Sequence, residues 1–453
     1  MLAPEEVKVS RIFHAGYIVE TNQARVVFDP ILTNPFSFNC LVDPPVELEP
    51  QAILARSWDG IFISHFHEDH CCLESLSHFP RSIPIYLYCH HPELADWIRQ
   101  MGFQQVTSLS IDQPVFLKGL EVTPRRALDD EVDCMFQVQI GSFQLLNVVD
   151  SWIDWETVTQ LESTRWDLIL WPFQILRERE VLSPSRYPKA VRAIPEAWRE
   201  QWARMNPRAM VPSSCQFRME DWSWYNQEFF SWSESYFESQ VREQFPEIEL
   251  WTMAPGESLI WSHGQFRRGP SLEGLRILGP ARVVAPGISW GVERPSVSEV
   301  ARNFAALDVA EKQIINYFCS NEIFERWAEV GPSAEVYFNR PRRWLLRIWD
   351  ESGFSTDHGY LVDEGQLSIW DPRTGLDPEW LTEISAWKLH GALREGESLT
   401  SIYVRVNEMA FDLKTEKALK GVDPLSDPLI RCLYNGRFGS YQQAQLKRLL
   451  AAD

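Results

Sequence analysis

No stretch of this 453-residue chain approaches the about eighteen consecutive apolar residues that crossing a bilayer requires. Met1 to Ser10 also lacks the basic start and apolar run of a signal peptide, so the expectation is a cytoplasmic protein with no membrane partner. Positive charge is scarce. Lys and Arg number 43 against 63 Asp and Glu, and a net charge of −20 argues against a nucleic-acid backbone as partner. The eight cysteines are scattered and form no Cys-x-x-Cys, a pattern of reduced thiols rather than a disulfide framework. Cys71 and Cys72 read as small residues packing the start of a helix. There is no Walker loop, dinucleotide fingerprint, Ser-His-Asp order, internal repeat or low-complexity tract.

Apolar residues make up 45% of the chain, with 20 Trp and 25 Phe, which is ample for burial and against extended disorder. The length exceeds one ordinary core, so two domains are expected. The densest chemistry is the run His65-Phe66-His67-Glu68-Asp69-His70. Asp59 to Ser64 before it reads as a buried strand, and Cys71 to Phe79 after it as a helix. The run therefore occupies a strand-to-helix loop, where side chains converge. His65 and His67, two apart, can reach one ion, and Asp69 and His70 a second beside it.

Residues 8 to 150 otherwise read as short strands with turns and a further helix near 92–101. A helix is predicted over Trp155–Glu162, a buried strand over Trp166–Phe173 and another helix over Ile194–Met205. The strand-like stretch Trp251 to Trp261 follows. Trp222, Tyr225, Phe229, Trp232 and Tyr236 recur at helical steps, reading as one apolar helix face against the core, the second domain or a pocket. Gly264 to Pro295 looks like a connection. Ser298–Trp327 then reads as mainly helical, followed by strands over Trp344–Trp349, His358–Val362, Leu367–Trp370 and Ser401–Val406 and a last helix over Tyr441–Leu450. These divide the chain into 8–265 and an α+β domain over 298–453 that lacks any catalytic cluster.

The His-x-His-x-Asp-His run resembles the signature of the metallo-β-lactamase fold superfamily. The opening Arg11 to Glu20 with Val26-Val27-Phe28-Asp29-Pro30 is similar to the ascorbate-phosphate lactonase branch and to the metallo-β-lactamase-like part of CMP-sialic acid hydroxylase. Asn147 to Asp150, Arg208 to Pro212 and Pro255-Gly256-Glu257 are further matches. The resemblance implies an α/β fold, the αββα sandwich, with the α+β domain appended. It also implies one or two divalent transition ions, zinc or iron. His65 and His67 would hold the first, Asp69 and His70 the second, and Asp150 would bridge them. Asp29 would orient the loop by hydrogen bonds, and His14, Trp152 and Ser214 would line the substrate pocket.

Two departures from the family pattern bear on the chemistry. Where a third imidazole is expected the chain reads Arg126 to Glu131, making Asp129 the candidate replacement ligand, with Asp130 and Glu131 as rivals. Where a last His is expected, Ser213-Ser214-Cys215 stands. Hydrolysis of a small lactone, ester or phosphoester by a metal-bound hydroxide, with Asp69 and Asp150 in catalytic roles, is the first expectation. Two His and a carboxylate on one ion would instead suit a non-haem di-iron oxygenase. That enzyme would need an electron-transfer partner, since Cys89-His90-His91 has no second Cys/His pair for an iron–sulfur cluster. A non-catalytic metal-binding relative is a third possibility. Homodimerisation is compatible with all three.

Overall fold

The computed structural model describes residues 2–3, 5–187, 193–282, 294–333, 335–363 and 365–452. Two sheets form its N-terminal part. The first has eight strands in the order Gln265–Arg268, Ser258–Ser262, Val7–Arg11, Tyr17–Glu20, Arg25–Phe28, Gly60–Ile63, Ile85–Leu87 and Val106–Ser108. The second has seven, in the order Glu249–Leu250, Ala209–Ser213, Leu168–Pro172, Phe143–Asn147, Cys134–Ile140, Leu120–Arg126 and Val115–Leu117.

Alternation of side chains along the strands builds the layers. Phe62 joins Phe28, Phe136, Leu145 and Leu170 in the core between the sheets, while its neighbours Ile61 and Ile63 pack outward with Leu73, Leu94 and Ile98. In the second sheet Leu168 and Leu170 face inward, and Ile169 and Trp171 face outward onto Trp198 and Trp202. Both faces of these strands are covered, which is why the strand around Ile169 is apolar throughout. The result is a four-layer αββα sandwich, as the sequence predicts.

The C-terminal part is a five-stranded sheet in the order Gln366–Ile369, Ser355–Asp363, Arg342–Trp349, Trp380–Ser385 and Arg405–Val406, packed with helices around its own core. Among the described residues no helix is long and apolar enough to cross a membrane.

Three expectations are corrected. The aromatic stripe is not one helix but two, Tyr225–Glu228 and Glu234–Gln244. The Phe229 carbonyl is taken by the Arg177 N–H (2.8 Å), Phe230 bridges Leu176, and Ser233 caps a new start. The stretch 401–404 is fully buried but not a strand, because Tyr403 sits at φ +51° and only Arg405–Val406 pairs. Pro255 and Gly256 (φ +82°) likewise delay the strand expected from Trp251 until Ser258. The region after Val297 is mainly helical as expected: Val297–Ala301 is followed by Val309–Tyr317, which runs through a π-helical turn at Phe318–Glu322 into Ile323–Val330, with capping boxes at Ser296 and Asp308. Order also continues into the expected connection. Leu275–Ile277 pairs with Val46–Leu48, while 283–293 lies outside the described residues.

Candidate metal centre

Five strand ends meet at one edge of the sandwich. His14 follows Val7–Arg11, Asp29 follows Arg25–Phe28, and the run from Ser64 follows Gly60–Ile63. Asp150 follows Phe143–Asn147, and Ser214 and Cys215 follow Ala209–Ser213. Here the backbone turns abruptly. His14, Asp29, Val149, Ser214 and Cys215 all have positive φ, between 40° and 65°. For a β-branched residue such as Val149 that conformation is unfavourable and persists only where surroundings enforce it. They do so: the Asn147 side chain accepts from the Val149 N–H (3.1 Å), and the Ser214 hydroxyl lies 2.8 Å from the Val149 carbonyl. The fully buried Arg11 guanidinium fastens the first turn, donating to the carbonyls of Pro212 (3.0 Å), Met253 (3.0 Å) and His14 (3.2 Å).

Asp29 is the hub beneath the loop. Its carboxylate accepts from the Ser64 N–H (2.8 Å), the Ser64 hydroxyl (2.7 Å) and His70 Nδ1 (3.0 Å). Because the Ser64 hydroxyl gives its proton to Asp29, it accepts from His65 Nδ1 at 2.9 Å. His65 and His70 therefore carry protons on Nδ1 and turn Nε2 toward the centre. His67 Nδ1 lies 3.0 Å from His65 Nε2, and Asp150 places one oxygen 3.1 Å from His70 Nε2 and the other 4.0 Å from His65 Nε2.

His14, Asp69, His70 and Asp150 also lie together, their ligand atoms all within 4.8 Å of one another. Hydrogen bonding separates His14 from the other three. The Cys215 N–H donates to His14 Nδ1 (3.0 Å), so a neutral His14 imidazole must carry its proton on Nε2. That N–H is 3.1 Å from Asp69 Oδ2. His14 is thus a donor that holds Asp69, and its Nε2 has no lone pair to offer a metal.

Electrostatics follow from this packing. Burial, reinforced by neighbouring His70, holds His65 well below the ordinary imidazole pKa, keeping it neutral. Burial works against charge on His70 too, but Asp150 and Asp69 outweigh it and raise its pKa. Asp150 and Asp69 are held low by His70 despite burial, Asp69 with help from His14. Burial, offset by a bond from Ser151 but reinforced by Asp150, pushes Asp133 up to about 7. A divalent ion suits such a centre. The neutral His65 Nε2 and an Asp150 oxygen are acceptors facing each other across 4.0 Å with no proton between them. Donor separations of about 3 to 3.6 Å are what ligands about 2.0–2.2 Å from one ion would show.

The candidates read from sequence fall into three groups. His65, His67, Asp69, His70 and Asp150 come together, with Asp29 supporting them and His14 beside Asp69. Asp129 stands in an exposed turn, near enough for its charge to act on His67, and Asp130 pairs with Arg126 (3.4 Å). Glu131 is exposed. Trp152 is exposed, its ring beside Trp198, and Ser214 is buried with its hydroxyl directed at backbone carbonyls. Sequence reading missed Asp133, whose Oδ2 accepts from Ser151 (2.5 Å) while the buried Oδ1 has no protein partner. It also missed Glu178, an exposed residue within reach of the charges of Asp69 and Asp150. Neither lies in a motif; only the fold brings them close.

No protein-family model matches the chain, and no curated protein matches it. Solved structures do. Igni18, a metallo hydrolase from the archaeon Ignicoccus hospitalis, is 19% identical with a TM-score of 0.40, over 57% of this chain and 99% of that one. Isothiocyanate hydrolase from Delia radicum gut bacteria is 15% identical with a TM-score of 0.42, over 56% and 99%. CmlA, a diiron β-hydroxylase from Streptomyces venezuelae, is 14% identical with a TM-score of 0.38, over 57% of this chain and 55% of that one. The four-layer sandwich, with the His-x-His-x-Asp-His loop at the end of one of its strands, is the arrangement that the resemblance read from the sequence implies.

Proposed function

We propose that the protein is a metal-dependent hydrolase of a small metabolite carrying a lactone, ester or phosphoester group. The observation that carries this reading is the composition of the convergent set: three imidazoles, His65, His67 and His70, against two carboxylates, Asp69 and Asp150. That balance suits a hydrolytic site, whereas carboxylate-dominated sets suit dioxygen chemistry at iron. A bound divalent ion supplies Lewis acidity and lowers the pKa of a coordinated water to about 7. The chain's own part is to orient and to hold protons. Asp29 and Ser64 fix the ring planes of His70 and His65, and the Cys215 N–H fixes the proton of His14 on Nε2. Asp69, held by that N–H, is the carboxylate placed to accept a proton at Oδ2 as a nucleophile forms.

Asp133 favours a second reading, a di-iron oxygenase drawing on an external electron donor, because its half-buried carboxyl, unpartnered at Oδ1, adds a carboxyl group beside Asp150. One experiment separates the two. Metal-loaded protein is offered lactone, ester and phosphoester panels under argon. Turnover without oxygen or reductant supports the hydrolase. Oxygen uptake that needs iron and an electron donor supports the oxygenase and overturns the first reading. Tight metal binding with silence in both assays overturns both.

A further inference from the structure

The C-terminal helix Ser440–Ala452 is packed on the underside of the candidate metal loop. Its approach is prepared by Phe438, stacked on His91 (ring centroids 3.9 Å) and Trp97 (5.7 Å) and set edge-on to Phe66 (4.9 Å). Gly439 follows at φ +63°, where a Cβ would stand 2.4 Å from the Trp97 ring. No other residue fits there, and the contact sets where the helix begins. One turn on, Gln442 and Gln445 are buried, at 2% and 0% exposure. The Gln442 amide donates to the carbonyls of Phe66 (2.6 Å) and Cys71 (3.0 Å), the residues that bracket His67 to His70. Gln445 accepts from the Leu73 N–H (2.8 Å) and reaches Cys72 Sγ (3.3 Å), and Arg448 closes the row on Glu74 (2.9 Å).

The loop needs such a partner. Its backbone turn is closed by the His70 and Cys71 N–H groups on the His67 carbonyl, at 3.0 and 2.8 Å. The carbonyls on either side point away from the ligand side chains into a buried interface, where an unpaired carbonyl is costly. Gln442 pairs both with one amide group, so its two N–H bonds fix the distance between the start and the end of the ligand run.

We infer that Gln442 is a positioning residue of the metal centre, and that the C-terminal helix and the metal loop form one thermodynamic unit: order in either favours order in the other. This rests on the metal-binding reading above. By reciprocal linkage, a ligand that orders the loop must also stabilise the helix that braces it.

Two measurements on the full-length chain test it. In the first, zinc affinity is read by chelator competition for wild type, Gln442→Met and Gln443→Ala, the last a control on the exposed face of the same helix. Q442M is expected to bind zinc about 10–100-fold more weakly, as loss of an outer-sphere partner typically does, and Q443A to match wild type. In the second, amide exchange of wild type is compared with and without zinc, which keeps the test open even if Q442M does not fold. Zinc should slow exchange across 440–452 as well as 65–73. Zinc affinity of a folded Q442M within twofold of wild type, or protection confined to the loop, would overturn the inference. Failure of wild type to bind zinc or iron at all would instead strike the metal reading itself.

Discussion

In the C-terminal half, Asp427 is fully buried and meets donors on every side: Trp380 Nε1 (2.6 Å), the Thr382 hydroxyl and the N–H groups of Leu429 (2.9 Å) and Ile430 (3.1 Å). Lys388 and Glu397, equally buried, pair at 3.1 Å. In the sandwich, His65 Nε2 looks across 4.0 Å at Asp150, and the nearer His67 nitrogen is a second imidazole. Both regions bury ionisable groups, and burial alone does not distinguish them. What does is complementarity. In one half each acceptor has its donor and the network is complete; in the other, His65 Nε2 and an Asp150 oxygen face each other with no donor between them. A polar cluster completed by the chain holds the fold together, and one left open toward its centre is built to hold something else.

That contrast predicts that damage in the two halves is read by different instruments. The largest effect is expected at Glu397. Glu397→Leu strands a buried ammonium, and the chain should lose about 3–5 kcal/mol of unfolding free energy, measured by urea denaturation, with zinc affinity of the folded fraction unchanged. The paired variant K388M/E397L should recover most of the loss. If the single variant melts like wild type, the pair is not the closed network described.

His65→Ala should behave in the opposite way, weakening metal binding by more than about 100-fold while apo-protein stability moves far less than in Glu397→Leu. Ser64→Ala breaks the link from Asp29 to His65 without removing a ligand, so a fall of about 10–100-fold is expected, read by chelator competition. If Ser64→Ala equalled His65→Ala, the separation of ligand from support would be wrong.

The smallest effect concerns pH. Burial holds the Glu397 carboxyl above the ordinary carboxylate range, with Lys388 pulling the other way. A raised folded pKa means that the folded state binds more protons than the unfolded one. Stability from this group is therefore present below the unfolded pKa and declines as pH rises through the folded value. Stability should decline as pH rises through the folded value and the dependence should vanish in K388M/E397L, which urea midpoints at several pH values would show.

The sandwich was legible in sequence because strands covered on both faces read as short, wholly apolar runs, as Gly60–Ile63 and Leu168–Pro172 do. The loop was legible because ligands two and three residues apart must be adjacent in space. Positions that the fold alone brings together were not. Asp133 and Glu178 feel the charge of Asp150 from separate elements, and nothing local marks them. His14 could be suspected, but its role as donor depends on the Cys215 N–H, 201 residues away. The aromatic stripe misled because Trp222, Tyr225 and Trp224 gather around Tyr403 of the other half, a tertiary contact that mimics helical periodicity.

The most direct test of the open cluster is elemental analysis of protein purified without chelators, wild type beside His65→Ala and His67→Ala. Wild type should retain at least one zinc or iron per chain, with both variants strongly depleted though folded by circular dichroism. Equal metal content in all three proteins would contradict the account.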